Sequence, residues 1–392
     1  MAVTEAVELA SVQSPHLPIQ SGSGRKLRVL FCWAHISGYM ASCWRRMASD
    51  PTIDLHVIAL IPGASANVAF NDTVMAGIPS TLIPDEKLAG STKVREIALA
   101  HKPDVIVLCG WHLPEFVNLA NQRAFADAKF IMGMDTPWNA SIRQRYGRFA
   151  RRSYFRRIDH VFCTGERSWQ LAMALGFSEE KISRGVYGID YAHFEPLCER
   201  RATQPGGWPH RWLYIGRYTE EKAIDVLVDS YREYRALIGT PWPMSAMGAG
   251  PDAKYFHGVE GIENLGFVQP KDQPTQLLRA GAFVLASRFD PWPLVVVESC
   301  AAGLPVVCTN ACGSSVELVR SFFNGRTVAT ENPRALAEGM AWLHEAAMQD
   351  PGLLAEMGRR SRMFASAYST DAWHARWTGT MRELVAARAT IT

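Results

Sequence analysis

No run of the ~18 apolar residues needed for a membrane-spanning helix occurs in this chain, so a helical transmembrane class is excluded. Charge of one sign is also scarce. There are 41 lysines and arginines against 38 acids, a net charge of +3. That is too near balance to argue for nucleic acid as a partner. The eight cysteines include no C-x-x-C pair, which removes support for zinc or thioredoxin-like chemistry. Glu5 and Glu8 stand where an export signal needs a basic start and an apolar core, so a reducing cytoplasm is the expected location. No G-x-G-x-x-G follows the first apolar run, which disfavours a nicotinamide enzyme.

What is present is the balance of a globular protein, 48% apolar and 20% charged, in a chain of 392 residues. That length is too great for one ordinary core and predicts two domains. Short apolar runs alternate with amphipathic stretches. Strands are predicted at Arg28–Trp33, Leu55–Leu60, Ser80–Ile83, Val105–Cys109, Lys129–Met132 and His160–Cys163. A second set is predicted at Trp212–Ile215, Pro243–Met247, Ile262–Leu265, Ala282–Leu285, Val306–Cys308 and Gly325–Val328. Helical periods lie between them, which implies α/β architecture with parallel sheets covered by helices. Residues 1–25 read as a flexible leader, 26–196 as one Rossmann-like domain and 197–209 as a linker rich in Pro and Gly. Residues 210–368 read as a second such domain, and 369–392 as a terminal helix packing back on the body. Two doubly wound domains facing across a cleft suit a two-substrate reaction.

The stretch from Val284 to Val306 is the most informative. An apolar run ends in a loop carrying Asp290, and a helix beginning near Leu294 carries Glu298. A helix start offers free N–H groups to a phosphate, and a carboxylate one turn on can accept hydrogen bonds from sugar hydroxyls. The segment therefore suits a sugar nucleotide.

Around it stand WLYIGRYTEEK at 212–222, GAGP at 248–251, NLGFV at 264–268, GLPVV at 303–307 and GSSVELV at 313–319. Their order and spacing resemble the retaining GT-B glycosyltransferases of family 4, or glycosyl transferases group 1. GVYGIDYAHFEP at 185–196 resembles the segment closing the first domain in that family. The resemblance implies a donor site in the second domain. There Arg217 and Lys222, beside Gly216, would neutralise the diphosphate of a UDP- or GDP-sugar. Such cations stabilise charge developing on a departing diphosphate. Glu298 takes the place of the second acid of the family's E-x7-E motif, which binds ribose, and Asp290 that of the first, near the transferred sugar. Trp292 and Pro293 replace the usual Phe-Gly, and Pro293 lacks a backbone N–H. Gly248 and Gly250 would turn the chain tightly near the donor. Val268 and Lys271 would border the base, and Ser314, Ser315 and Glu317 would lie near the phosphates.

On the acceptor side, Gly38 resembles the loop glycine that approaches both substrates. Asp135 stands where the family often has histidine and suits an acceptor hydroxyl, with His112 as its rival. No metal or other cofactor is expected. The implied function is sugar transfer to an acceptor hydroxyl in polysaccharide, glycolipid or glycoconjugate biosynthesis. The alternatives are a nucleotide-sugar 2-epimerase of the same fold and a non-catalytic partner subunit. The acceptor is expected to be a sugar, a lipid-linked sugar or a small molecule. Finally, 142–158 carries seven arginines with aromatic and aliphatic residues near helical spacing. One basic amphipathic helix is expected there, suited to peripheral contact with the inner face of a membrane or to an anionic acceptor.

Overall fold

The structure, a computed structural model, describes residues 24–61 and 73–389. The expected leader lies almost wholly outside the described residues. The first sheet contains β1 (Leu27–Trp33), β2 (Ile53–Ile61), β3 (Ser80–Pro84), β4 (Val105–Cys109), β5 (Lys129–Met134), β6 (His160–Cys163) and β7 (Ile182–Arg184). Its order is β3-β2-β1-β4-β5-β6-β7. The second contains β8 (Trp212–Ile215), β9 (Met244–Met247), β10 (Ile262–Gly266), β11 (Ala282–Leu285), β12 (Val306–Thr309) and β13 (Gly325–Val328), in the order β10-β9-β8-β11-β12-β13. Every strand pairing within both sheets is parallel.

Unbroken apolar runs such as Val29–Trp33 and Ala282–Leu285 are buried throughout, because helices cover both faces of each sheet. β7 has no counterpart among the predicted strands. It is three residues long with Ile182 its single apolar residue, and it is drawn into the sheet by pairing with β6. Each sheet reverses its strand order once, between β1 and β4 and between β8 and β11. Crevices at the carboxyl ends of these strands are where such sheets bind ligands.

Two expectations need correction. The linker begins as a helix, Pro196–Ala202, with Leu197, Cys198 and Arg201 buried. Proline breaks a helix interior but fits its first turn, where Pro196 stands. Arg201 is a bolt. Its guanidinium donates to the carbonyls of Ala302 (2.7 Å) and Leu277 (2.6 Å) and lies 5.0 Å from the Trp208 ring. It thus serves the carboxyl ends of two helices, where cations are favoured. Burial brings its pKa down to about 10. The arginine-rich stretch is two helices rather than one, Ile142–Ala150 and Arg152–Arg157, broken at Arg151. Tyr154, Phe155 and Ile158 turn into the core, whereas Ile142, Tyr146 and Phe149 stay in solvent.

The final helix, Thr370–Ala389, returns to the first domain. Trp377 stacks on Phe162 of β6 with ring centroids 3.9 Å apart, and its indole N–H donates to the Gly185 carbonyl at 3.1 Å. Trp373 donates to Val186 at 2.8 Å. The chain thus crosses between domains twice, and the crossings run side by side. Ile189 donates to Tyr368 (2.8 Å) and Thr370 donates back to Ile189 (3.0 Å). Trp377→Ala should cost about 3–5 kcal/mol of stability by removing a buried aromatic. Urea unfolding followed in the first domain checks this. A midpoint equal to wild type contradicts the packing role.

Candidate active site in the cleft

The carboxyl ends of β8, β9 and β10 enclose a pocket of about 310 Å³. Ile215, Met247, Phe267 and Val268 give it an apolar wall. Gly248 and Gly250 are forced by contact. Their φ angles are +154° and +150°, and a Cβ would lie 1.8 Å from the Gly216 carbonyl oxygen and 2.2 Å from that of Tyr218. Only glycine lets the two loops touch. Gly216 lines the same pocket, but Lys271 is exposed outside its wall, where Gln273 stands instead.

Beside this pocket lie the charged groups. Lys222 and Asp290 form a buried ion pair, with side chains 13% and 10% exposed. Asp290 also accepts from the Trp292 amide. Burial still holds the Asp290 carboxyl above its ordinary pKa, against the pull of Lys222 and that amide. Arg217 is 72% exposed and pairs at 2.8 Å with Glu221. Glu298 sits in the helix Leu294–Ala301, in its second turn. Among the described residues its carboxylate has no hydrogen-bond or ion-pair partner. Burial pushes its pKa up to about 7.

Several predicted donor residues serve the frame. The Ser314 hydroxyl donates to the Pro293 carbonyl (3.0 Å) and Ser315 donates to Cys312 (2.7 Å). Both are buried. Glu317 reaches across the cleft and accepts from the Glu166 amide at 2.6 Å, at the start of the helix Glu166–Leu175. Trp292 is buried against Gly165 of the first domain, where a Cβ would lie 2.2 Å from its ring. It also packs on Tyr368 at 5.6 Å. The Trp-Pro departure at 292–293 thus makes a domain contact. Arg167 adds bonds from its guanidinium to the carbonyls of Asn310 and Ala311.

Opposite, the ends of β1, β4 and β5 line a pocket of about 240 Å³ that holds both Asp135 and His112. The Tyr187 hydroxyl donates to Asp135 at 2.9 Å. Tyr39 packs edge-on to Tyr187 at 5.1 Å. Burial raises the Tyr39 pKa, and the negative charges of Asp135 and Glu298 add to the rise. Tyr39 is therefore within electrostatic reach of an acid of each domain. Gly38 opens the helix Gly38–Ala48, capped by Ser37. Tyr39 and Tyr187 escape a reading by charge, although both lie inside quoted motifs, AHISGYM and GVYGIDYAHFEP.

The site's surroundings have known counterparts. Residues 200–363 match the family described as Glycosyl transferases group 1. Glycogen synthase of Mycobacterium tuberculosis is 30% identical over 235 residues, which is 58% of this chain and 54% of that protein. The putative colanic acid biosynthesis glycosyltransferase WcaL of Salmonella typhimurium is 26% identical over 181 residues, 43% of each chain. The chain thus spans about half the length of the curated relatives it matches. Among solved structures, Anabaena HepE in complex with UDP has a TM-score of 0.71 at 18% identity, covering 91% of this chain and all (100%) of that one. A glycosyltransferase from Rickettsia africae has a TM-score of 0.72 at 15% identity, covering 92% and 99%. The likeness to these structures is one of fold: two Rossmann-like domains in the GT-B arrangement. The stretch that matches the glycosyl transferases group 1 family is the second domain, which carries Lys222, Asp290 and Glu298.

Proposed function

We propose that this chain is a retaining glycosyltransferase of family 4, moving a sugar from a nucleotide diphosphate sugar to an acceptor hydroxyl. One observation carries the reading. The Lys222–Asp290 ion pair stands beside the apolar pocket, and Glu298 follows on the next helix, within electrostatic reach of Tyr39 in the other domain, where Tyr187 holds Asp135. The apolar pocket beside Gly248 takes the base, and Glu298 takes the ribose hydroxyls. Lys222 has three N–H donors; Asp290 occupies one and leaves the others for the diphosphate. Asp290 thereby aims the ammonium as well as standing near the sugar. Arg217 joins by leaving Glu221, an exposed pair of small worth. Together the two cations stabilise the diphosphate as the glycosidic bond breaks, the task otherwise given to a metal.

No protein nucleophile is invoked. The acceptor attacks from the face the diphosphate leaves, and a phosphate oxygen takes its proton. Asp135, held by Tyr187, accepts a hydrogen bond from the acceptor hydroxyl and fixes its direction. His112, in the same pocket, is its rival for that role. The UDP bound by HepE supports a uridine donor, with a GDP-sugar as the other choice. The names of WcaL and glycogen synthase support a place in glycan biosynthesis.

A thermal-shift screen against UDP- and GDP-sugars tests the reading, since a bound donor stabilises the fold by mass action. No shift with any of them at saturating concentration overturns it. Lys222→Ala should slow donor turnover by at least ~10²-fold, the scale of losing one electrostatic stabiliser. Release of UDP from UDP-glucose measures it, and wild-type turnover would remove Lys222 from the mechanism. Glu298 gives a pH test. Its carboxyl titrates near pH 7, so the ribose-binding anion forms as pH rises through that value. UDP-glucose, whose phosphates do not titrate there, should bind more tightly at pH 8 than at pH 6 by roughly tenfold, the weight of a charged hydrogen bond. Glu298→Gln should flatten the calorimetric profile; a slope that survives assigns it elsewhere.

A further inference from the structure

The helix Ile142–Ala150 has no buried residue. It rests on the helix Glu166–Leu175 through Gly147, whose Cβ position lies 3.8 Å from Leu175. Gln144 pins it by donating to the Pro137 carbonyl at 2.8 Å. Its apolar residues face the other way. Ile142, Tyr146 and Phe149, at i, i+4 and i+7, are 76%, 66% and 65% exposed. They form one stripe that nothing in the chain covers among the described residues.

The charges around the stripe are as unusual as the stripe itself. Residues 142–158 contain seven arginines and no acid. Elsewhere arginines are commonly tied to carboxylates, as Arg288 is to Asp225 and Arg362 to Glu195. Among the described residues Arg143, Arg145, Arg148, Arg151, Arg152 and Arg156 make no such pair. Beside the stripe is a hollow of about 460 Å³. Arg148, Arg152, Arg156 and Lys181 border it, Phe155 and Phe177 give it an apolar lining, and no carboxylate lines it.

This face is joined to the acceptor pocket. Tyr154, buried beneath it, donates to the Gly110 carbonyl at 2.7 Å, in the loop that carries His112. A groove of about 720 Å³ runs from Trp111, His112 and Thr136, which also line that pocket, to Arg143, Tyr146 and Arg151 on the helix.

We propose that this face docks on an anionic lipid bilayer. Ile142, Tyr146 and Phe149 enter the headgroup region, the unpaired arginines and Lys181 take lipid phosphates, and the acceptor reaches the cleft along the groove from the membrane. An exposed apolar stripe flanked by uncompensated cations is the pattern that binds such surfaces. The proposal rests on the transferase reading for its acceptor, but the docking itself does not.

The test is co-sedimentation of the full chain with phosphatidylcholine vesicles, with and without about 30% phosphatidylglycerol, in low salt. Wild type should sediment with the anionic vesicles and not with the neutral ones. A variant carrying Ile142→Ser, Tyr146→Ser and Phe149→Ser should lose at least ~10-fold in partitioning. One carrying Arg148→Ser, Arg152→Ser and Arg156→Ser should lose about 100-fold. These side chains are exposed, so melting temperature and UDP-glucose binding should stay at wild-type values and show that the fold is intact. No sedimentation of wild type with anionic vesicles overturns the proposal. So does an apolar variant that partitions like wild type, which would mark a general polyanion surface. Failure of UDP-glucose binding with docking retained would sink the transferase reading alone.

Discussion

Each sheet of this chain is parallel and reverses its strand order once, and everything at the cleft follows from that constraint. A reversal sends the flanking connections to opposite faces, so the carboxyl ends between them are left open. Gly38 follows β1, His112 follows β4, Gly216 and Arg217 follow β8, and Asp290 follows β11. These residues bracket the two reversals, and the domains are set so that the openings face. The same geometry makes the glycines necessary: where loops from β8 and β9 meet at the crevice, a single methyl group would collide with backbone oxygen.

Electrostatics in the cleft are set by what is withheld from water. Lys222 and Asp290 are both nearly buried, and an isolated charge of either sign would be costly there. As a pair they keep a cation ready in a region of low dielectric, where its effect on a phosphate is greatest. Glu298 has no such partner among the described residues, and burial raises its pKa. Arg217 sits at the other extreme, hydrated and weakly held, free to move at little cost.

Much of this was legible in the sequence where a residue's job was local. Each predicted strand is present, because buried parallel strands are written as short apolar runs. Lys222 and Asp290 were marked by charge in the loops after strands, and Glu298 by its place one turn into the helix that follows. Residues whose job is defined by a distant partner were less legible. Trp292, Ser314 and Glu317 read as donor residues, yet they brace a loop or meet Gly165 and Glu166 of the other domain. Tyr187 gains its place from a hydrogen bond to Asp135, 52 residues away, and Tyr39 from packing on Tyr187. The arginine-rich stretch showed the right periodicity but not the break at Arg151, which turns half its aromatics inward and leaves half outside.

The double crossing between the domains has a mechanical meaning. Ile189 and Ser369 lie side by side in a parallel bridge, the first on the way out of the first domain and the second on the way back. Two chains laced at one point resist twisting about their own length yet bend readily across it. Any relative motion of the domains must therefore be absorbed in the φ and ψ angles of these two adjacent segments. Like the spine of a book, the paired crossing keeps the two covers in one register.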